Sequence, residues 1–222
     1  MKILINASNL HVGGGVQVAS SFISELAELL SDKKSKNEVS VFCSEKVYEN
    51  LNIDFKKDIF SDLKIINVYG KSKTTLEFRK LFEGFDICFT VFGPFYLDIK
   101  VSKHICGFAQ PWIAYPDNDV YPMLNFKNRL LTKLKFLTQS FFFKRYDLLV
   151  VEQAHVKDAL EKVGYDPEKI SVVSNCVSSI YEDENNWQTL AFDFSNLVEN
   201  VTLGFIGRPY LHKNIEILTS VN

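Results

Sequence analysis

A short apolar run at residues 2–5 (KILI) gives way to three successive glycines, Gly13-Gly14-Gly15, and then to a helical period. The run reads as a strand. After the glycines, Ala19, Phe22, Ile23, Leu26, Ala27 and Leu30 recur at threes and fours, which marks one apolar face of a helix. Strand, glycine loop, helix is the geometry of an anion site. Glycine turns tightly and lets a ligand approach the backbone, while the helix N-terminus offers unpaired N–H groups at the positive end of its dipole. Three readings stand at this point: a dinucleotide cofactor, a phosphate- or sugar-facing loop, or a tight turn without a ligand. The dinucleotide fingerprint G-x-G-x-x-G fits Gly13 and Gly15, but Val18 occupies its third glycine position. Glu45, the best candidate for a ribose-binding acid after the second strand, is poorly placed.

The alternation continues along the chain. Strands are predicted at 39–43, 63–68, 86–91, 103–108, 146–151 and 170–173, and helices at 74–82, 124–143 and 155–163, the last stopped by Gly164. The strands are continuous apolar runs, as expected when both faces are covered. Alternating strands and helices imply right-handed crossovers. The expected fold is therefore α/β, a Rossmann-like parallel sheet with helices on both faces. Residues 181–200 are acidic, rich in Asn and without a clean period, and read as a linker. Residues 201–222 begin a new strand and helix but are too few to enclose a core. The expected organisation is a domain at 1–180, a linker at 181–200 and the start of a truncated second domain at 201–222. The total of 222 residues fits that division.

Charge excludes some functions. Twenty-five basic against 27 acidic residues leave −2, so there is no global basic field and nucleic acid is not an expected partner. No apolar run approaches the ~20 residues of a membrane span. The four cysteines, Cys43, Cys88, Cys106 and Cys176, lack CxxC spacing, which argues against zinc and for reduced thiols in a cytoplasmic setting. The sequons at Asn6 and Asn200 fall on or beside predicted strands and are discounted.

Three segments resemble one family, the family-four retaining glycosyltransferases, which have the two-domain GT-B fold. GGGVQVASSFISEL resembles their N-terminal loop and first helix. YDLLVVEQAHVKDALEKVGYDPEKISVVSNCVSS resembles the end of their first domain, with Asp166 to Ile170 and Asn175 matching. LGFIGRPYLHKN resembles the opening of their second domain, where a strand ends in Gly-Arg and a Lys follows. The resemblance implies a nucleotide sugar as donor substrate, with no metal and no further cofactor. It implies that Arg208 and Lys213, with Gly14 and Gly15, bind the donor diphosphate. Two cations at a strand end and a helix start suit the charge that grows on a leaving diphosphate. Cys176 and Ser178 depart from the family's usual Gly and Asp. Gln110 stands near the usual sugar-contacting His and supplies no positive charge, with His104 and His11 as nearby alternatives. The family's paired glutamates, Glu-x7-Glu, fall outside these residues. No catalytic residue is nominated, and the chain alone is expected to be inactive.

The acceptor is expected on the first domain. Residues 109–121 (AQPWIAYPDNDVY) read as a long loop whose Gln110, Trp112, Tyr115 and Asp117 suit a glycan or lipid-linked acceptor, though an ordinary proline-stabilised loop fits too. On helix 124–143, Leu130, Leu134, Leu137 and Phe141 form one stripe, with Phe136 and Phe143 opposite, beside Arg129 and Lys133. Aromatics among cations on an outward face fit peripheral contact with an anionic membrane, on its inner face; cover by a neighbouring helix fits equally. The leading function is sugar transfer in bacterial surface polysaccharide synthesis. Alternatives are a non-catalytic acceptor-binding module or split subunit, a nucleotide-dependent oxidoreductase, and a GT-B-type epimerase.

Overall fold

The computed structural model describes residues 1–32, 36–51, 57–70, 75–179, 182, 184–187, 215 and 217. The linker expected at 181–200 and the second-domain start at 201–222 lie almost wholly outside these, as do Arg208 and Lys213.

Among the described residues, seven parallel strands form one sheet: β1 (Lys2–Ala7), β2 (Glu38–Cys43), β3 (Asp62–Ile65), β4 (Ile87–Thr90), β5 (Lys103–Gly107), β6 (Leu148–Val151) and β7 (Ile170–Val172). Their order is β3-β2-β1-β4-β5-β6-β7. The helices are α1 (Gly14–Asp32), α2 (Glu45–Tyr48), α3 (Leu76–Lys80), α4 (Pro111–Ala114), α5 (Val120–Met123), α6 (Phe126–Phe143) and α7 (Ala154–Lys162). The α/β, Rossmann-like parallel sheet is as expected.

Alternation along β1 and β2 covers both faces. Ile5, Ala7, Val39, Val41 and Cys43 pack with Val16, Ala19, Ile23 and Ala27 of α1. Leu4 and Phe42 point the other way, against Phe82, Cys88 and Phe95. A third cluster joins Cys106, Phe108 and Phe143 to Leu149, Val151 and Leu160. Cover on both sides is why these strands are mostly apolar, with Asn6 and Ser40 as buried polar exceptions.

Two expectations are corrected. Residues 109–121 are not one long loop. Pro111 opens α4 at its first turn, where the missing N–H costs nothing, and α5 follows after 115–119. In α6, started by the Asn125 side chain accepting the Asn128 N–H, the outward face is not the one with Phe136 and Phe143. Phe143 is fully buried against Phe108, and Phe136 stacks on Trp112 at 5.4 Å and 6°. The leucine stripe faces solvent instead. No described helix is long and apolar enough to cross a membrane.

Candidate functional site

The strand order reverses at β1 and β4. From β1 the chain moves outward through β2 to β3, whereas β4 lies on the other side of β1 and leads to β5, β6 and β7. In an open α/β sheet, ligands bind beyond the carboxyl ends of the strands at that reversal. There the residues following Ala7 and Thr90 meet: Asn9 Nδ2 donates to the Phe92 carbonyl at 2.9 Å.

The loop between β1 and α1 is tied on several sides. The Ser44 N–H and the Leu10 N–H both donate to the Ala7 carbonyl, and the Ser44 hydroxyl donates to the Leu10 carbonyl. The Val68 N–H donates to the Ser8 carbonyl at 2.9 Å. His11 Nε2 lies 2.9 Å from the Val68 carbonyl, and its ring stacks on Tyr69 at 4.0 Å. His11 thus anchors the loop to the residues after β3. Asn6 is fully buried, its amide donating to Thr90 Oγ1 and its carbonyl accepting from Ser8, so this sequon is structural.

Against this fixed frame the glycines divide by role. Gly13 has φ +73°, the left-handed region that favours glycine. A Cβ on Gly14 would meet nothing within 4 Å, and one on Gly15 only ordinary contacts with Leu10 and Phe92 at 3.5 and 3.6 Å. Packing therefore does not require glycine at either position, and both carry glycine's cost in a helix. The first turn of α1 contains no acidic residue. No carboxylate of that turn therefore offsets the positive end of the helix dipole. Asn9 Oδ1, buried beside the loop, has no hydrogen-bond partner among the described residues. Glu45 is exposed in the first turn of α2.

Two glycines outside the nominated loop, Gly93 (the expected stop of the strand at 86–91) and Gly107, are demanded by packing. A Cβ on Gly107 would stand 1.9 Å from the Val91 carbonyl oxygen, and one on Gly93 2.5 Å from Cys106 Sγ. They bring the ends of β4 and β5 together, with the Gly93 N–H donating to the Gly107 carbonyl at 3.1 Å. The paired Gly93-Pro94 and Gly107 after apolar strands were the available signal.

The acceptor-side candidates separate. Gln110 precedes α4 at the end of β5, half-buried, and its side chain makes no capping bond. Trp112 and Asp117 line a slot of about 440 Å³ between α4, α5 and α6, together with Tyr121, Lys133, Leu134 and Lys144. Trp112 meets Tyr121 edge to face at 5.1 Å. Tyr115 turns outward and does not line the slot. His104, the other alternative, lies in the sheet with Nε2 2.9 Å from Thr90 Oγ1. Burial pulls its pKa down to about 4, against the opposing pull of Asp147.

Beyond β7 the chain returns over α1. Glu25 accepts from the Ser178 hydroxyl at 3.1 Å and from the Ser179 N–H and hydroxyl at 2.8 and 2.6 Å. Asn175, Cys176 and Ser178 border a cavity of about 520 Å³ with Gln17, Ser21 and Glu25. Among the described residues, no three His, Cys, Asp or Glu side chains group as a metal site.

The fold is a Rossmann-like α/β domain with a glycine-rich loop tied at its switch point. No protein-family model matches the sequence, and no curated protein matches it. Among solved structures, the fold is similar to that of HepE from Anabaena in complex with UDP and glucose. The TM-score is 0.45 and the identity 13%, over 90% of this chain and 49% of that one. It is also similar to the apo form of WaaB, a lipopolysaccharide outer core galactosyltransferase, at TM-score 0.39 and 14% identity, over 80% of this chain and 46% of that one. The chain spans about half the length of the structures it matches.

Proposed function

We propose that this chain is the acceptor-side part of a glycosyltransferase that moves a sugar from a nucleotide-sugar donor to a glycan or lipid-linked acceptor in surface polysaccharide synthesis. The observation that carries the reading is the loop Gly13-Gly14-Gly15. It sits at the β1–β4 reversal, held by Asn9, Ser44 and His11, with two glycines that packing does not need and a helix start without an acid of its own. That arrangement suits a diphosphate. The three-segment resemblance supports the same reading, and it assigns Arg208 and Lys213 to the other side of that diphosphate.

In this reading the protein supplies position and charge rather than a nucleophile. Helix N–H groups, Arg208 and Lys213 stabilise the charge that develops on the leaving diphosphate. The donor is a substrate, and no resident metal or cofactor is needed. The acceptor lies along the same sheet edge, from Gln110 to the slot at Trp112 and Asp117, with Tyr115 at its outer rim. The setting is cytoplasmic, with the membrane at hand for lipid-linked acceptors. Residues 1–180, 181–200 and 201–222 then serve as acceptor domain, linker and the opening of a donor domain.

Thermal-shift titration with nucleoside diphosphates tests this. Saturable stabilisation by a nucleoside diphosphate, abolished in Gly14→Asp, is expected; stabilisation by nicotinamide dinucleotides instead would move the chain to the oxidoreductases. A second reading, a non-catalytic acceptor-binding module or split subunit that needs a partner chain for donor binding, predicts no diphosphate stabilisation of this chain alone. In an assay of the isolated chain with nucleotide sugars, turnover would overturn both the split-subunit reading and the expectation of inactivity.

A further inference from the structure

Helix α6 is apolar on the wrong side. Of its 18 residues only Gln139 and Phe143 are buried. Leu130, Leu134, Leu137 and Phe141 fall within an arc of about 60° at 100° per residue, and that arc is opposite the buried pair. They are 50%, 51%, 69% and 65% exposed. Phe126 and Met123 prolong the apolar surface at the N-terminal end. A contiguous patch of large apolar side chains left in water marks a place where something else binds.

The charges around the patch select its occupant. Lys127, Arg129, Lys133 and Lys135 flank the arc on both sides, and α6 contains no Asp or Glu. The whole chain carries −2, so these cations are a local concentration. Protein interfaces are depleted in Lys. A leucine and phenylalanine stripe between lysines suits instead the boundary of an anionic bilayer, where apolar groups sink among the acyl chains and ammonium heads meet phosphates. Lys133 and Lys135 hold their ammonium groups over aromatic rings at the margin of this face, with Nζ 5.2 Å from the centres of Tyr121 and Phe136.

We propose that the Leu130–Leu134–Leu137–Phe141 face of α6 docks the protein on an anionic membrane surface, with Lys127, Arg129, Lys133 and Lys135 among the headgroups. The slot beside α6 shares Leu130, Leu134 and Leu137 with this face. Docking therefore brings Trp112 and Asp117 to the level of the lipid headgroups. The docking does not depend on the sugar-transfer reading, because it rests on α6 alone.

Co-sedimentation of the full 222-residue chain with vesicles of phosphatidylcholine, with and without phosphatidylglycerol, tests it. Binding is expected only with phosphatidylglycerol. It should weaken on the order of tenfold in Lys127→Gln/Arg129→Gln and vanish in Leu134→Ser/Leu137→Ser, whose largely exposed positions lower the melting temperature by only a few degrees. Absence of binding, or equal binding to neutral vesicles, overturns the proposal. So does a dimer in solution that the same leucine pair abolishes, which would make a second copy the occupant. So does a Leu137→Cys side chain, in a Cys176→Ser background, that resists thiol labelling without vesicles, which would make the chain its own cover. Nucleoside diphosphate binding measured on the same variants keeps the two readings apart: it should stay intact where docking is lost.

Discussion

Thr90 Oγ1 and His104 Nε2 lie 2.9 Å apart across the neighbouring strands β4 and β5. Asn6 reaches the same hydroxyl from β1 at 3.3 Å, so three strands are linked by one polar chain inside the sheet. Burial, only partly opposed by Asp147, holds the imidazole neutral and lowers its pKa from 6.5 to about 4. Between those values the unfolded chain binds a proton that the folded chain refuses. Stability is therefore fully present above pH 6.5 and falls as the pH drops towards 4, by about 3 kcal/mol at most. Urea unfolding across this range should show that slope, and His104→Gln, which keeps a polar group but cannot titrate, should flatten it. An unchanged slope in the variant would place the titration elsewhere.

Two glycine-to-alanine substitutions should act in opposite directions. Gly107→Ala puts a Cβ 1.9 Å from the Val91 carbonyl oxygen, backbone that cannot rotate away. The expected cost is about 3 kcal/mol, seen as a clear drop in melting temperature. Gly14→Ala meets nothing within 4 Å and replaces a poor helix former with the best one, for a gain of about 0.5 kcal/mol. If the loop holds a diphosphate close to its backbone, the same variant binds that diphosphate less well. A more stable protein with weaker binding is the joint outcome to look for.

The parts of the fold that depend on burial were readable beforehand. The strands stand at or beside the predicted runs, clearest in β4 (ICFT) and β6 (LLVV), although Ser40, Lys64, His104 and Ser171 interrupt β2, β3, β5 and β7. The glycine loop was readable because its residues are special by type. The sheet order was not, since no local pattern states which strand neighbours β1. The turns α4 and α5 were missed because Pro111 and Pro122 read as breakers, although proline is at home in a helix's first turn. The face of α6 was misread for a deeper reason. Period 3.6 finds a stripe but not its partner, and the usual rule sends the leucines inward, whereas here Phe143 fills the space beside Gly93 and the leucines remain outside. The hydrogen bonds that Glu25 accepts from Ser178 and Ser179, more than 150 residues away, had no local signal at all.

Glu25 should act as the clasp of residues 175–179. Ser179 first, through its hydroxyl and N–H, and Ser178 after it hold the carboxyl below its ordinary 4.5. The contact is therefore in force above that value and loosens as the pH falls below it. Glu25→Ala removes the acceptor at any pH. Hydrogen exchange should show the Ser179 amide losing about 1 kcal/mol of protection, while amides of β1 and β4 stay as they were. A global loss of protection would mean that Glu25 supports more than this segment.

The four cysteines should divide into one reactive and three silent thiols. Cys43, Cys88 and Cys106 are buried, and burial raises the first two to about 12 and the third further still. The thiolate is the nucleophile, so these three have almost none of the reactive form near neutral pH and no access for a reagent. Cys176 is exposed on the segment that passes over α1. An aromatic disulfide reagent should therefore titrate one thiol in the native chain, all four in guanidinium, and none natively in Cys176→Ser. Rapid native reaction of a second thiol would show that the sheet opens at Cys43, Cys88 or Cys106, the last of which Gly93 and Phe143 cover.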